Sequence, residues 1–210
     1  RGVLAEGHEV PFDRMTYCTG GAEQPGRAGK LKLALPPNIQ LQRIGPEQTL
    51  SQMLLDGEID ALYTARTPST FQGGAGKVRR LFPNYGAIER GYFRKTGIFP
   101  IMHVIVIRRD VYEANRWIAQ SLYKAFLEAQ RQTYLDLNEH VVLKAMLPWL
   151  NSNVDEVKAE MGDDFWPHGV ERTHSTLSTL LRYSQEQGLI SQKLEVEDLF
   201  APETLEAFKI

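Results

Sequence analysis

Asp60-Ala61-Leu62-Tyr63-Thr64-Ala65-Arg66-Thr67-Pro68-Ser69 is where the residue types of this 210-residue chain converge on binding chemistry. A strand-like approach runs directly into a loop that bears hydroxyls and one arginine. Arg66 offers a planar fork that matches a carboxylate, and Thr64, Thr67 and Ser69 add hydroxyl donors. In open α/β folds, the crevice beyond the carboxyl ends of parallel strands is where ligands bind. A solvated loop with an exposed arginine has the same spacing, so both readings stand. Lys77, Arg79 and Arg80 follow closely and read as a solvated basic turn that can also draw in an anion.

The five histidines, His8, His103, His140, His168 and His174, are too scattered for a zinc ligand set. His103 differs from the rest because the Gly97-Ile98-Phe99-Pro100 turn feeds it into an apolar run. Its position fits either a cleft-side proton carrier or a satisfied structural histidine. Trp166-Pro167-His168-Gly169 is a rigid turn that either walls a pocket or separates two helices. Cys18 is the single cysteine, which excludes an intrachain disulfide and a multi-cysteine metal site, and it reads as a buried, inert thiol. Gln72-Gly73-Gly74-Ala75-Gly76-Lys77 superficially resembles a phosphate loop, but its glycine spacing and its ending are wrong for that mechanism. No cofactor motif and no metal motif is present.

These groups need elements to hold them. Met15–Thr19 reads as a strand ended by Gly20-Gly21, and residues 22–37, broken by prolines and glycines, read as surface loop. Ile39–Ile44 alternates as a half-buried strand. Thr49 caps a helix that Gly57 closes, and Ile59–Tyr63 follows as another strand, which together make one βαβ unit with a parallel sheet. A loop covers Thr64–Lys77, Asn84 caps a helix through Lys95, and His103–Ile107 has the continuous apolar pattern of a buried strand. Beyond it the pattern is helical. The longest helix spans Trp117–Leu137, and others are expected around Val141–Leu150 and Val154–Met161, through Leu177–Ser184, and in a short tail. The opening Arg1–His8 reads as the back half of a helix stopped by Gly7.

Composition sets the outer limits. The hydrophobic fraction is 42%, the charged fraction 24% and the net charge −2. That argues for a packed globular chain and gives no generic electrostatic footing for nucleic acid. Runs such as Val104–Ile107 fall far short of the ~20 apolar residues of a spanning helix, so no membrane insertion is expected.

Leu50–Leu62, with Gly57-Glu58-Ile59-Asp60-Ala61 at its centre, resembles the helix-to-strand passage of type II periplasmic-binding-protein-like folds. Arg79–Pro83, Gly97–His103, Arg108–Tyr112, Trp166–Glu171 and Glu186–Leu189 resemble the 4,5-dihydroxyphthalate decarboxylase branch of that superfamily. The resemblance implies an α/β fold of two lobes with a hinge, built on parallel or mixed sheets flanked by helices. Residues 1–63 would form most of the second lobe, 64–102 the connection and 103–210 the return to the first. The family's chains are longer, so this chain is expected to be N-terminally incomplete and to self-associate through exposed edges.

The activity implied is cofactor-free decarboxylation of a small aromatic carboxylate, a hydroxylated aromatic dicarboxylate like 4,5-dihydroxyphthalate, in a cleft between the lobes. Under it, Arg66 would hold the retained carboxylate, His103 would transfer the proton, Tyr63 and Thr64 would orient the ring, and Ser69 would add a substrate contact. The alternative is a non-enzymatic solute-binding protein of the ABC-transporter type for a small anionic or aromatic ligand. The first implies a cytoplasmic location and the second a periplasmic one.

Overall fold

A computed structural model of the chain describes residues 1–27, 35–73 and 76–206. Part of the expected 22–37 loop, and Gly74 and Ala75 of the glycine-rich stretch, lie outside the described residues. The chain divides into two compact units, residues 1–89 with 183–191, and residues 90–182 with the chain from 192 onward.

The first unit carries the sheet, among the described residues a single parallel pair between β1 (Thr16–Thr19) and β2 (Gln40–Arg43), with Thr16 opposite Gln40 and Thr19 opposite Arg43. The chain is therefore α/β in content, with helices dominant. β2 is exposed along its length although its sequence alternates, and Cys18 is half-buried rather than buried. Helix α2 (Leu50–Asp56) begins where Thr49 accepts the Gln52 N–H, and it ends at Gly57 in the left-handed region at φ 79°. Helix α1 (Gly2–His8) runs through Gly7 and stops at Glu9, whose φ of 54° provides the left-handed cap expected of a glycine. Gly2 is required here for space. A Cβ at that position would lie 2.3 Å from the Tyr183 ring.

Ile59–Tyr63 is not a strand. Past Gly57, the amides of Glu58 and Ile59 both turn back to the Met53 carbonyl, at 2.9 and 3.4 Å. The donors that would start a ladder are spent closing α2, so the expected βαβ unit does not form. The observed parallel pair instead joins β1 to β2 across the preceding connection.

The second unit is helical. It contains most of α3 (Tyr85–Thr96), then α4 (Arg109–Ala114), α5 (Trp117–Leu137), α6 (Leu150–Met161) and most of α7 (Val170–Glu186). Two 3-10 turns follow at Val196–Leu199 and Pro202–Thr204. Val170 and Leu177 of α7 bury against Val196, and Leu181, Phe200 and Leu205 pack around them. The tail thus covers one stripe of α7.

Two further expectations give way here. His103–Ile107 forms no strand and has no ladder partner among the described residues, and Val104, Ile105 and Val106 are exposed. β-propensity supplies a chain that can pair, and a ladder needs a second strand. Residues 141–149 are not helical. Pro148 lies inside that span, and Trp149 takes a left-handed φ of 58°, so the next helix starts only at Leu150.

Candidate functional site

A cavity of about 870 Å³ lies within the second unit, and the 97–107 segment forms one of its sides. On α5, Ala119, Leu122, Tyr123 and Phe126 line it, one stripe at the i, i+3, i+4, i+7 spacing of a single helix face. The 164–169 turn, the first turns of α7 and the residues around Phe200 complete it. This combination of apolar walls and a few polar groups is what small-molecule sites share.

His103 lines this cavity. It is exposed and, among the described residues, makes no hydrogen bond or ion pair. The Trp166–Gly169 turn proves to serve both expected purposes: it separates α6 from α7 and it walls the cavity. Gly169 has φ 95°, and a Cβ there would lie 2.1 Å from the Tyr123 hydroxyl, so glycine is required on both grounds.

The turn is held by bonds from α5 and α7. The Tyr134 hydroxyl accepts the Trp166 N–H at 2.9 Å and donates to the Asp164 carboxylate at 3.0 Å. Gln130 donates to the Trp166 carbonyl, and Arg172 pairs with the other oxygen of Asp164. The Trp166 ring meets Phe99 edge-on, with centroids 5.5 Å apart. Burial raises the Tyr134 hydroxyl above its ordinary value, opposed by the Trp166 N–H that it accepts. Tyr123, on the same helix, is also raised, first by burial and then by the negative charge of Glu171.

The cavity's cations are mostly engaged. Arg116 pairs with Glu203 at 2.9 Å and bonds the Tyr112 hydroxyl at 3.1 Å, and that hydroxyl itself donates to Glu203 at 2.7 Å. The Tyr112 hydroxyl, backbone amide donation and the Arg116 charge hold Glu203 below the usual carboxylate range. Arg109 is the loosest, 4.0 Å from Glu113. Arg116 and Arg172 were not singled out by sequence reasoning, and Tyr112 entered only as the end of the Arg108–Tyr112 family segment. Their signal, an arginine or tyrosine near the start of a helix, is too common to separate from an ordinary solvated face.

Tyr63, Thr64, Arg66 and Ser69 belong to the first unit. The Arg66 guanidinium is exposed and, among the described residues, has no hydrogen-bond or ion-pair partner. Thr64 closes a local turn, accepting the Arg66 N–H at 3.2 Å and donating to its carbonyl at 3.0 Å. Ser69 is committed to Glu23, donating its N–H at 2.9 Å and its hydroxyl at 2.6 Å. Ser51 donates to the same carboxylate at 2.6 Å, and these serines together hold Glu23 below its ordinary range. The Tyr63 hydroxyl is raised, first by partial burial and then by Tyr17 nearby. The basic turn is exposed at Lys77, Arg79 and Arg80, as its sequence implied. Arg80 stacks over Phe71 and Tyr85, with 5.2 and 4.8 Å to the ring centroids. Among the described residues, no three His, Cys, Asp or Glu side chains gather as a metal ion would require.

No family model matches the chain. Over its whole length, however, it is 31% identical to a 4,5-dihydroxyphthalate decarboxylase of Comamonas testosteroni. The chain is a homologue of that decarboxylase. A second protein of that name, from Pseudomonas putida, is 38% identical over 91 residues, 43% of this chain and 35% of its own length. The chain spans 64% of the length of the Comamonas decarboxylase, so it corresponds to about two-thirds of that relative. No helix among the described residues is long and apolar enough to cross a membrane.

Proposed function

We propose that the chain is part of a carboxy-lyase of the 4,5-dihydroxyphthalate decarboxylase family, acting on a hydroxylated aromatic dicarboxylate. The observation that carries this reading is the homology of the whole chain to part of a protein of that name. An apolar cavity with aromatic walls, arginines and an unpartnered imidazole supports it.

The chemistry is a protonation followed by loss of carbon dioxide. A phenolate para to one carboxylate pushes its electron pair into the ring, and an acid delivers a proton to the carbon that bears the carboxylate. The carbon–carbon bond then breaks, its electron pair restores the aromatic ring, and carbon dioxide leaves. The net reaction consumes one proton. His103 is the acid in this proposal, because it faces the cavity without an internal partner to hold its proton. Arg66 holds the carboxylate that stays, Tyr63 and Thr64 orient the ring, and Ser69 contributes once Glu23 releases it. Type II periplasmic-binding-protein-like architecture, two lobes with a hinge, and a cytoplasmic location accompany the reading as proposals.

The test is calorimetric titration with 4,5-dihydroxyphthalate followed by measurement of carbon dioxide and 3,4-dihydroxybenzoate. Turnover is expected of the full-length protein. His103→Gln should lower kcat by about 10²–10⁴-fold, the range for a positioned acid. Arg66→Ala should chiefly raise KM. Binding without carbon dioxide release would sink the lyase and favour the solute-binding alternative. No binding at all would remove both.

A further inference from the structure

We infer that Tyr134 is a positioning residue of the cavity: it fixes the Trp166 wall against which the ring of an aromatic ligand packs. The inference rests on the proposed aromatic substrate for what occupies the cavity, and on the geometry alone for how the wall is held. Trp166 lies in a turn, and a turn by itself leaves an indole free to swing. This turn is tied by its backbone at both ends of one residue. The Trp166 N–H goes to the Tyr134 hydroxyl at 2.9 Å, and its carbonyl accepts from Gln130, one helical turn earlier on α5. The Tyr134 hydroxyl itself donates a hydrogen bond to Asp164 at 3.0 Å, and Arg172 of α7 holds the far oxygen of that carboxylate.

The Tyr134 ring also packs on Phe165, with centroids 4.8 Å apart. Two successive aromatic residues are therefore set by one side chain, Phe165 by ring contact and Trp166 by its amide. With the backbone so fixed, the indole meets Phe99 edge-on and presents its remaining surface to the cavity. An edge-to-face pair leaves ring faces open to a flat ligand, the geometry that aromatic contacts prefer. A wall placed in advance spares the ligand the cost of ordering it.

Trp166 can be made the sole reporter by replacing the exposed Trp117 and Trp149 with Phe, since neither lines the cavity. In that background, Tyr134→Phe keeps the ring against Phe165 and removes one oxygen. The expected result is an emission shift of unliganded Trp166 to longer wavelength. With it should come about tenfold weaker binding of 4,5-dihydroxyphthalate by calorimetry, as loss of one or two good hydrogen bonds would produce. KM should rise by a similar factor while kcat stays within about threefold, since a wall that binds ground and transition states alike moves only KM.

A variant with unchanged emission and unchanged affinity overturns the inference, whatever happens to its melting temperature. If Tyr134→Phe does not fold, Gln130→Met removes the donor to the Trp166 carbonyl and must reproduce the emission shift, or the inference fails. Should the unsubstituted protein bind no aromatic dicarboxylate, the decarboxylase reading falls, and the emission shift alone then decides whether Tyr134 sets Trp166.

Discussion

Gly169 shows how much a single residue carries at this site. Its φ of 95° is a conformation that side chains rarely adopt, and the Tyr123 hydroxyl occupies the place of a Cβ. Gly169→Ala must strain the backbone and displace Tyr123 together, which should cost about 1–3 kcal/mol for the φ alone. Urea unfolding should show the midpoint falling with an unchanged m-value, and a midpoint equal to that of the parent protein would contradict the geometry. His103 makes the complementary point. It is conspicuous in the sequence as a lone imidazole beside an apolar run, and it lines the cavity. Tyr134 was invisible because its work is done through the main chain of Trp166, a relation between residues 32 positions apart.

At the scale of elements, the 101–107 segment separates propensity from structure. Val106 is 85% exposed in a run whose composition is that of a buried strand. Val106→Asp should therefore change stability by no more than about 0.5 kcal/mol, the usual range for a surface site. A buried position would lose several kcal/mol on taking an unpaired carboxylate. Thermal unfolding distinguishes the two cases. The helices were easier to foresee. Trp117–Leu137 was legible to the residue because its apolar positions repeat at the helical period without interruption by proline or glycine. The helix expected at Val141–Leu150 fails at Pro148, a local signal whose weight the apolar residues around it obscured.

For the whole molecule, the pH dependence of stability follows from its carboxylates. Hydrogen bonds from Ser51 and Ser69 hold Glu23 low, those from Arg131 and Gln132 bring Glu128 to about 2, and a bond from Arg94 lowers Glu160. Each binds its proton less readily folded than unfolded. Their stabilising contribution is complete above the unfolded values, roughly 4–4.5, and is lost as pH falls toward the folded ones. The melting temperature should be nearly level from about pH 7 to 5 and should fall below about pH 4.5. Glu23 and Glu128 are exposed, so their share of the fall should be shallower in high salt. A melting temperature that holds constant down to about pH 3 would show that these pairs contribute nothing.

Sequence by itself determined the features that depend on near neighbours. Thr49 and Gly57 bound their helix, the period of α5 set its length, and the strand-forming residues at 16–19 and 40–43 entered the sheet. The homology to the decarboxylases was likewise legible in short segments along the chain. Tertiary structure alone decided which strand-like runs became strands, because a ladder needs a partner at the right distance, and neither Ile59–Tyr63 nor His103–Ile107 has one among the described residues. It also decided that the stripe on α5, the Trp166–Gly169 turn and His103 surround one cavity. That convergence depends on helices packed from distant parts of the chain, and no spacing within a single segment encodes it.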